Sequence, residues 1–145
     1  RSGYFVFTSN QKTVKSGCYV KNLCDAMLFI HNSKQPSSKV AFNMSFSPMP
    51  CLADYVSTIK SILGRKGPTF SLPYPLIFLI ILGIQLLSRP FNLQHGINLA
   101  RLKKITSSNN IDPSLLLKTS WEAPYSLRDS FLDWQTEDSS TWSNP

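Results

Sequence analysis

The sequence predicts a mixed α/β chain, mostly helical, whose few short strands do not complete a sheet. Apolar residues recur at helical spacing in several segments bounded by caps or prolines. Only short runs have strand character, and they are too few to make a sheet alone. The apolar fraction is 42% of 145 residues against 16% charged, enough for a core and too much for wholesale disorder.

In chain order, Tyr4-Phe5-Val6-Phe7 is an aromatic and β-branched run that reads as a strand. Thr8 to Lys15 is polar and reads as a loop. Asn22 is placed to cap a helix in which Leu23, Ala26, Met27 and Ile30 form one apolar face. Residues 32–38 are a turn or loop. Val40, Phe42, Met44 and Phe46 alternate with smaller or polar residues, as in a half-buried strand ended by Pro48 and Pro50. Leu52, Tyr55, Val56, Ile59 and Leu63 then predict a helix stopped by Gly64. Thr69 to Leu72 reads as a short extended piece.

Pro75 to Leu87, PLIFLIILGIQLL, is the most apolar segment. Its prolines suit a first helical turn. The uninterrupted run Leu76 to Ile84 is far short of the roughly 20 residues that a membrane span needs. A buried or interfacial helix is expected. Ile97 to Lys104 reads as a short helix carrying Arg101, Lys103 and Lys104, and Asn109 to Asp112 as an extended piece leading to a cap at Asp112. Ser126 to Asp129 has the form of a capping box, and Leu127, Phe131 and Trp134 share the face of the helix that follows. Residues 136–145 are polar, lack periodicity and are expected to form a disordered tail.

The net charge of +7 is uneven. Up to Lys104 there are 13 basic and 2 acidic residues; from Ile105 there are 2 basic and 6 acidic. A basic body fits an anionic partner such as phosphate, nucleic acid or a membrane surface, and equally a solvated basic face. Cys18, Cys24 and Cys51 are odd in number and include no CxxC pair, so neither a disulfide framework nor a zinc site is expected. Buried free thiols in a reducing cytoplasm are the plain reading. His31 and His95 lack ligand spacing, and no metal site is expected.

Catalytic patterns are absent: there is no GxGxxG or GxxGxxG loop, no YxxxK, no Walker A, HExxH or GxSxG. The chain opens on Arg1 rather than Met, as a truncated chain would, and shows no signal peptide.

Six segments nevertheless fall in an order that resembles a known family. Lys15-Ser16-Gly17-Cys18-Tyr19-Val20-Lys21-Asn22-Leu23-Cys24-Asp25-Ala26 is similar to "KSxxYVxNLxxA" of the extended short-chain dehydrogenase/reductases, in particular the bacterial nucleotide-sugar epimerase/dehydratase group. Phe42-Asn43-Met44 resembles "FNV", and Leu52 to Val56 resembles "LxELV". Arg101 to Lys104 resembles "RVKKF", Ile111 to Ser114 resembles "FDxSK", and Ala123 to Leu127 resembles "xPxSLEEGL". The resemblance covers Tyr4 to Trp134. It implies that residues 1–135 are the C-terminal substrate-binding portion of a Rossmann-type fold. The NAD-binding half and its catalytic residues would lie outside the chain, so no catalysis is expected from it alone.

The resemblance also implies site residues. Lys15, seven positions before Asn22, and Arg101, eleven before Asp112, match basic residues that hold the diphosphate of a nucleotide-sugar substrate. Lysine offers a point charge and arginine a bidentate fork. Tyr4 and Phe5 match a strand that passes the nucleotide. Exposed loop or helix charges, and core packing, are the plain alternatives. A homodimer is implied for the full-length enzyme.

A second reading is a small basic membrane-associated protein anchored by residues 75–87, with a peripheral membrane contact through Arg89, Arg101, Lys103 and Lys104. A nucleic-acid partner is not expected, since no recognised module is present. In the enzyme reading the missing half would cover surface exposed here, so the isolated chain is expected to be poorly stable or to aggregate.

Overall fold

The computed structural model describes residues 5–8, 10–33, 40–88 and 99–143. Among them the chain is mixed α/β and mostly helical. It forms two compact units, one from residues 14–65 and 109–145, the other from 2–13 and 66–108.

The first unit is organised by a short extended segment. Val14 bridges Cys51 in antiparallel fashion, and Lys15 bridges Asn109 in parallel. Helix α1 (Val20–Asn32) follows, then α2 (Leu52–Ile62). The carboxy-terminal part adds α5 (Ser114–Leu117), α6 (Leu127–Glu137) and α7 (Ser139–Ser143). The core is Ala26, Leu116 and Trp121, with Phe29, Ile30, Phe42 and Met44 packed against it.

Several local signals act as the sequence implies. Ser126 and Asp129 make a reciprocal capping box at the start of α6. At the end of α2, Arg65 N–H bonds the carbonyl of Lys60 and Gly64 N–H that of Ser61, with Gly64 at φ +64°. This is a Schellman ending, which needs a left-handed residue. Asp112 accepts from the N–H of Ser114, although the N-cap position itself falls on Pro113.

Other expectations are corrected. Residues 40–46 alternate only in their middle: Phe42 and Met44 are half-buried and Ala41 and Asn43 exposed, but Val40 is exposed and Ser45 buried, and among the described residues no strand forms there. On α1 the inward residues are Asn22, Ala26, Phe29 and Ile30, whereas Leu23 and Met27 face out. The face is set by what packs there, Leu116 and Trp121, and not by hydrophobicity alone. The thiols are free but not buried: Cys18 and Cys24 are exposed and Cys51 is partly so. Where a loose tail was expected, α6 runs on to Glu137 and Trp142 of α7 packs edge-on against Phe131 and Trp134.

In the second unit β1 (Phe5–Thr8) pairs in parallel with β2 (Thr69–Leu72), Phe5 opposite Thr69. Next comes α3 (Tyr74–Ser88), whose first turn begins on the Pro73 carbonyl. The short basic helix is α4 (Leu99–Thr106); Ile97 and Asn98 lie outside the described residues. Helix α4 packs on α3 and β1. Ile77, Ile81 and Leu102 are its core, with Leu72, Phe78 and Leu99 around them.

A Cβ at Gly64 would meet nothing within 4 Å, so the cost of Gly64→Ala is the left-handed backbone alone. It should lower stability by about 1 kcal/mol. All three tryptophans, Trp121, Trp134 and Trp142, lie in the first unit, so their fluorescence in urea reads this directly. An unchanged midpoint would show that α2 does not end in this conformation.

Candidate functional site

Lys15 sits in the first unit on a backbone fixed from several sides. Its N–H bonds the carbonyl of Pro50 at 3.1 Å, and its carbonyl accepts the Tyr55 hydroxyl at 3.0 Å. Two residues on, a Cβ at position 17 would lie 2.7 Å from that hydroxyl, so the close approach needs glycine. Next to Lys15, Ser16 bonds Asn109 through N–H and hydroxyl, and its hydroxyl oxygen accepts from Ile111 N–H. The Lys15 side chain is half-buried.

The other sequence-predicted residues belong elsewhere. Arg101 is exposed on α4 and Phe5 is exposed on β1, so the second unit holds both, on elements that pack together. Phe5 packs edge-on against the buried Phe7. Tyr4 lies outside the described residues.

A cleft of about 810 Å³ opens within the first unit. That falls in the size range of small-ligand sites. The irregular segment 44–50, which contains a cis Ser47–Pro48 bond, makes one wall; Cys18 and Asn22, Asp54 and Thr58 of α2, Leu117, and residues 119–123 and 125–128 make the rest. Among the described lining residues Arg128 is the cation, against the carboxylates of Asp54 and Glu122. Arg128 is turned toward the Ser61 hydroxyl at 3.0 Å. The cleft does not include Lys15, so cavity and predicted phosphate ligand do not coincide within this unit. Asp54 is spent on the helix: its carboxylate accepts Cys51 N–H at 2.7 Å, which holds its pKa below the ordinary value.

Asn22 borders the cleft, yet it is not a cap. It lies inside α1, which starts at Val20 with Tyr19 as N-cap. Its amide donates to the Tyr125 carbonyl at 2.7 Å and accepts the Tyr125 N–H at 2.9 Å, and it is 1% exposed. A second, smaller hollow of about 400 Å³ is lined by Gly17, Tyr19, Tyr55, Phe131 and Trp134.

One network was not foreseen from sequence. The Tyr19 hydroxyl donates to Asp133, and Lys21 pairs with Asp133 at 2.5 Å and Glu137 at 2.7 Å. The hydrogen bond to Asp133 pushes Tyr19 up to about 12. Bonds to Lys21 and Tyr19 hold Asp133 below the usual carboxylate value. These groups fasten α1 to α6. No sequence signal pairs residues that far apart.

Among the described residues no cluster of three or more His, Cys, Asp or Glu side chains could hold a metal. Gly17 lies under a tyrosine hydroxyl, Gly64 ends a helix and Gly83 is inside one.

No family model matches the chain, and no solved structure does. The sequence is similar to that of a sugar epimerase. That relative is the N-acetyl-alpha-D-glucosaminyl-diphospho-ditrans,octacis-undecaprenol 4-epimerase of Escherichia coli O157:H7, 24% identical over 125 residues. The match takes in 86% of this chain, which spans about 38% of the relative's length.

Two predictions follow from the α1 contacts. Asn22→Ala should destabilise the first unit by about 2 kcal/mol, because both Tyr125 backbone groups lose their partner. A tryptophan-monitored urea midpoint that does not move would disprove the pin. Tyr19 has its folded pKa raised from 10.0, so its bond stabilises the fold below pH 10 and is lost as pH rises through about 12. In an absorbance titration of tyrosinate, Asp133→Asn should bring that late step down toward the ordinary value; a superimposable curve would rule out the bond.

Proposed function

We propose that these residues form the substrate-holding portion of an NAD-dependent epimerase or dehydratase acting on a sugar carried by a diphosphate. The observation that carries this reading is the similarity to an epimerase over 86% of the chain. It agrees with the ordered motifs shared with the extended short-chain dehydrogenases. In this reading the Rossmann half, with its cofactor and catalytic residues, belongs to sequence beyond these residues.

The work left to this portion is binding and orientation. A diphosphate needs fixed positive charge, and a lysine on an immobilised backbone holds its charge in place at less entropic cost than one on a free loop. Lys15 has such a backbone. Arg101 would add a bidentate contact. Phe5 and Tyr4 would offer aromatic surface to the group beyond the phosphates. The relative's printed name places its sugar on a diphospho-undecaprenol. The shared chemistry is therefore a sugar diphosphate, whether its second substituent is a nucleoside or a polyprenol.

The test uses the protein with its upstream coding sequence. UDP-N-acetylglucosamine is titrated against wild type, Lys15→Met and Arg101→Met. Each variant should weaken binding by about tenfold or more, the loss of one charge-assisted bond. An upstream frame without GxxGxxG and YxxxK, or an affinity indifferent to both substitutions, would overturn the reading.

A further inference from the structure

We infer that the outward face of α3 is a docking surface for an anionic phospholipid bilayer, on which this portion of the protein lies without crossing it. The inference rests on the sugar-diphosphate reading and narrows it to a substrate whose diphosphate is carried by a membrane lipid.

The two sides of α3 differ in a specific way. Ile77 and Ile81 are buried against Leu102. Leu76, Leu79, Ile80, Ile84, Leu86 and Leu87 are exposed, Leu87 by 74%. Most of these repeat at three- and four-residue intervals and so form one continuous apolar stripe. Gln85, the polar side chain within the run, is half-buried and stands apart from the most exposed positions. A soluble helix normally turns such a stripe inward and shows water its polar side. Here both sides are apolar, and one of them has no described cover.

Length decides how a bilayer would take it. Fifteen residues make a helix of roughly 22 Å, against a hydrocarbon core of about 30 Å. No helix among the described residues is long and apolar enough to cross a membrane. A helix lying in the interface needs only one apolar side and has one here. Tyr74 at its start is half-exposed and stacks on Phe78, an aromatic with a polar tip of the kind that settles at headgroup level.

Charge selects the occupant. The second unit contains six basic residues, Lys12, Lys66, Arg89, Arg101, Lys103 and Lys104, and no aspartate or glutamate. Three of them, Arg101, Lys103 and Lys104, are exposed on α4, the helix packed against α3. All eight acidic residues belong to the first unit. An apolar protein partner would gain little from a uniformly basic surround, whereas anionic headgroups reward it at about fivefold in affinity per charge. The first unit also exposes apolar side chains, Val20, Met27 and Leu28 on α1, but its acidic residues argue against the same partner. An enzyme whose substrate is a lipid diphosphate has to meet it at the membrane, and the similar epimerase is named for such a substrate.

Flotation separates membrane binding from aggregation, because aggregates sink and vesicles rise. The full protein is mixed with vesicles of phosphatidylcholine alone or with phosphatidylglycerol. Wild type should float with the anionic vesicles, less with the neutral ones, and less as salt screens the charges. Leu79→Glu with Leu87→Glu changes only exposed positions and should reduce flotation at least tenfold. Lys103→Glu with Lys104→Glu should reduce it by about 25-fold or more and flatten the salt dependence. Met27→Glu should float as wild type does.

A wild type that stays at the bottom overturns the inference, the face then being covered by the remainder of the full protein, as does unchanged flotation of the Leu79/Leu87 variant or equal binding to both vesicle types. So does a solution mass showing that this variant splits a dimer while flotation is unaffected, since the face would then belong to a second copy. UDP-N-acetylglucosamine affinity, measured without vesicles, reports on the sugar-diphosphate reading alone. Failure there with flotation intact removes that reading and leaves the membrane surface standing.

Discussion

The first unit depends on one buried amide. Asn22 turns both halves of its side chain to the backbone of Tyr125, in place of the partner that a strand would supply. Around it Trp121 bonds Asp25, and Tyr19 and Lys21 hold Asp133. The N-cap and first two turns of α1 thus meet three stretches of the carboxy-terminal segment. The cleft exists because this segment is held in an irregular path over α1 and α2. The amide is costly to leave unpaired in so buried a place, so the path is specified more sharply than apolar packing alone would specify it.

What was legible in the sequence was local. The Ser126 and Asp129 box, the Gly64 ending and the prolines before α3 each work through neighbours within a few residues. Spacing alone is enough to read them. The role of Asn22 was not legible, because capping and pinning use the same side chain and the choice depends on where Tyr125 comes to lie. Residues 40–46 show the same limit: their alternation matches burial from Ala41 to Met44 but not at the exposed Val40 or the buried Ser45, and a strand also requires a neighbour, which is not written in one segment. On α1 the periodicity identified a helix while Leu23 and Met27 were assigned to the wrong side, since small Ala26 fits beneath Trp121.

The candidate site was legible only in part, and for a different reason. Lys15 and Arg101 stand out through resemblance; as isolated charges nothing in their spacing marks them. The cleft wall at 44–50 is the end of an alternating run and the prolines that break it, a pattern that reads as a strand and its stop and says nothing of a cleft. Helix α3 is the reverse case. Its apolarity is plain in the sequence, but whether both sides are covered is a property of the fold. The described structure buries Ile77 and Ile81 and leaves Leu79 and Leu87 outside.

The order in which the units can form follows from how they are threaded. The polar bonds that fix α1 join residues 96, 103 and 114 positions apart, because residues 66–108 are inserted between its partners. Closing a loop of that size costs several kcal/mol of chain entropy before any contact rewards it. During synthesis, α1 therefore waits for nearly the whole chain. The pairing of β1 with β2 and the packing of α3 on α4 need nothing beyond residue 108, so the basic, apolar unit takes shape on the ribosome first. It would present its unfilled apolar helix to the surroundings while the rest of the protein is still being made.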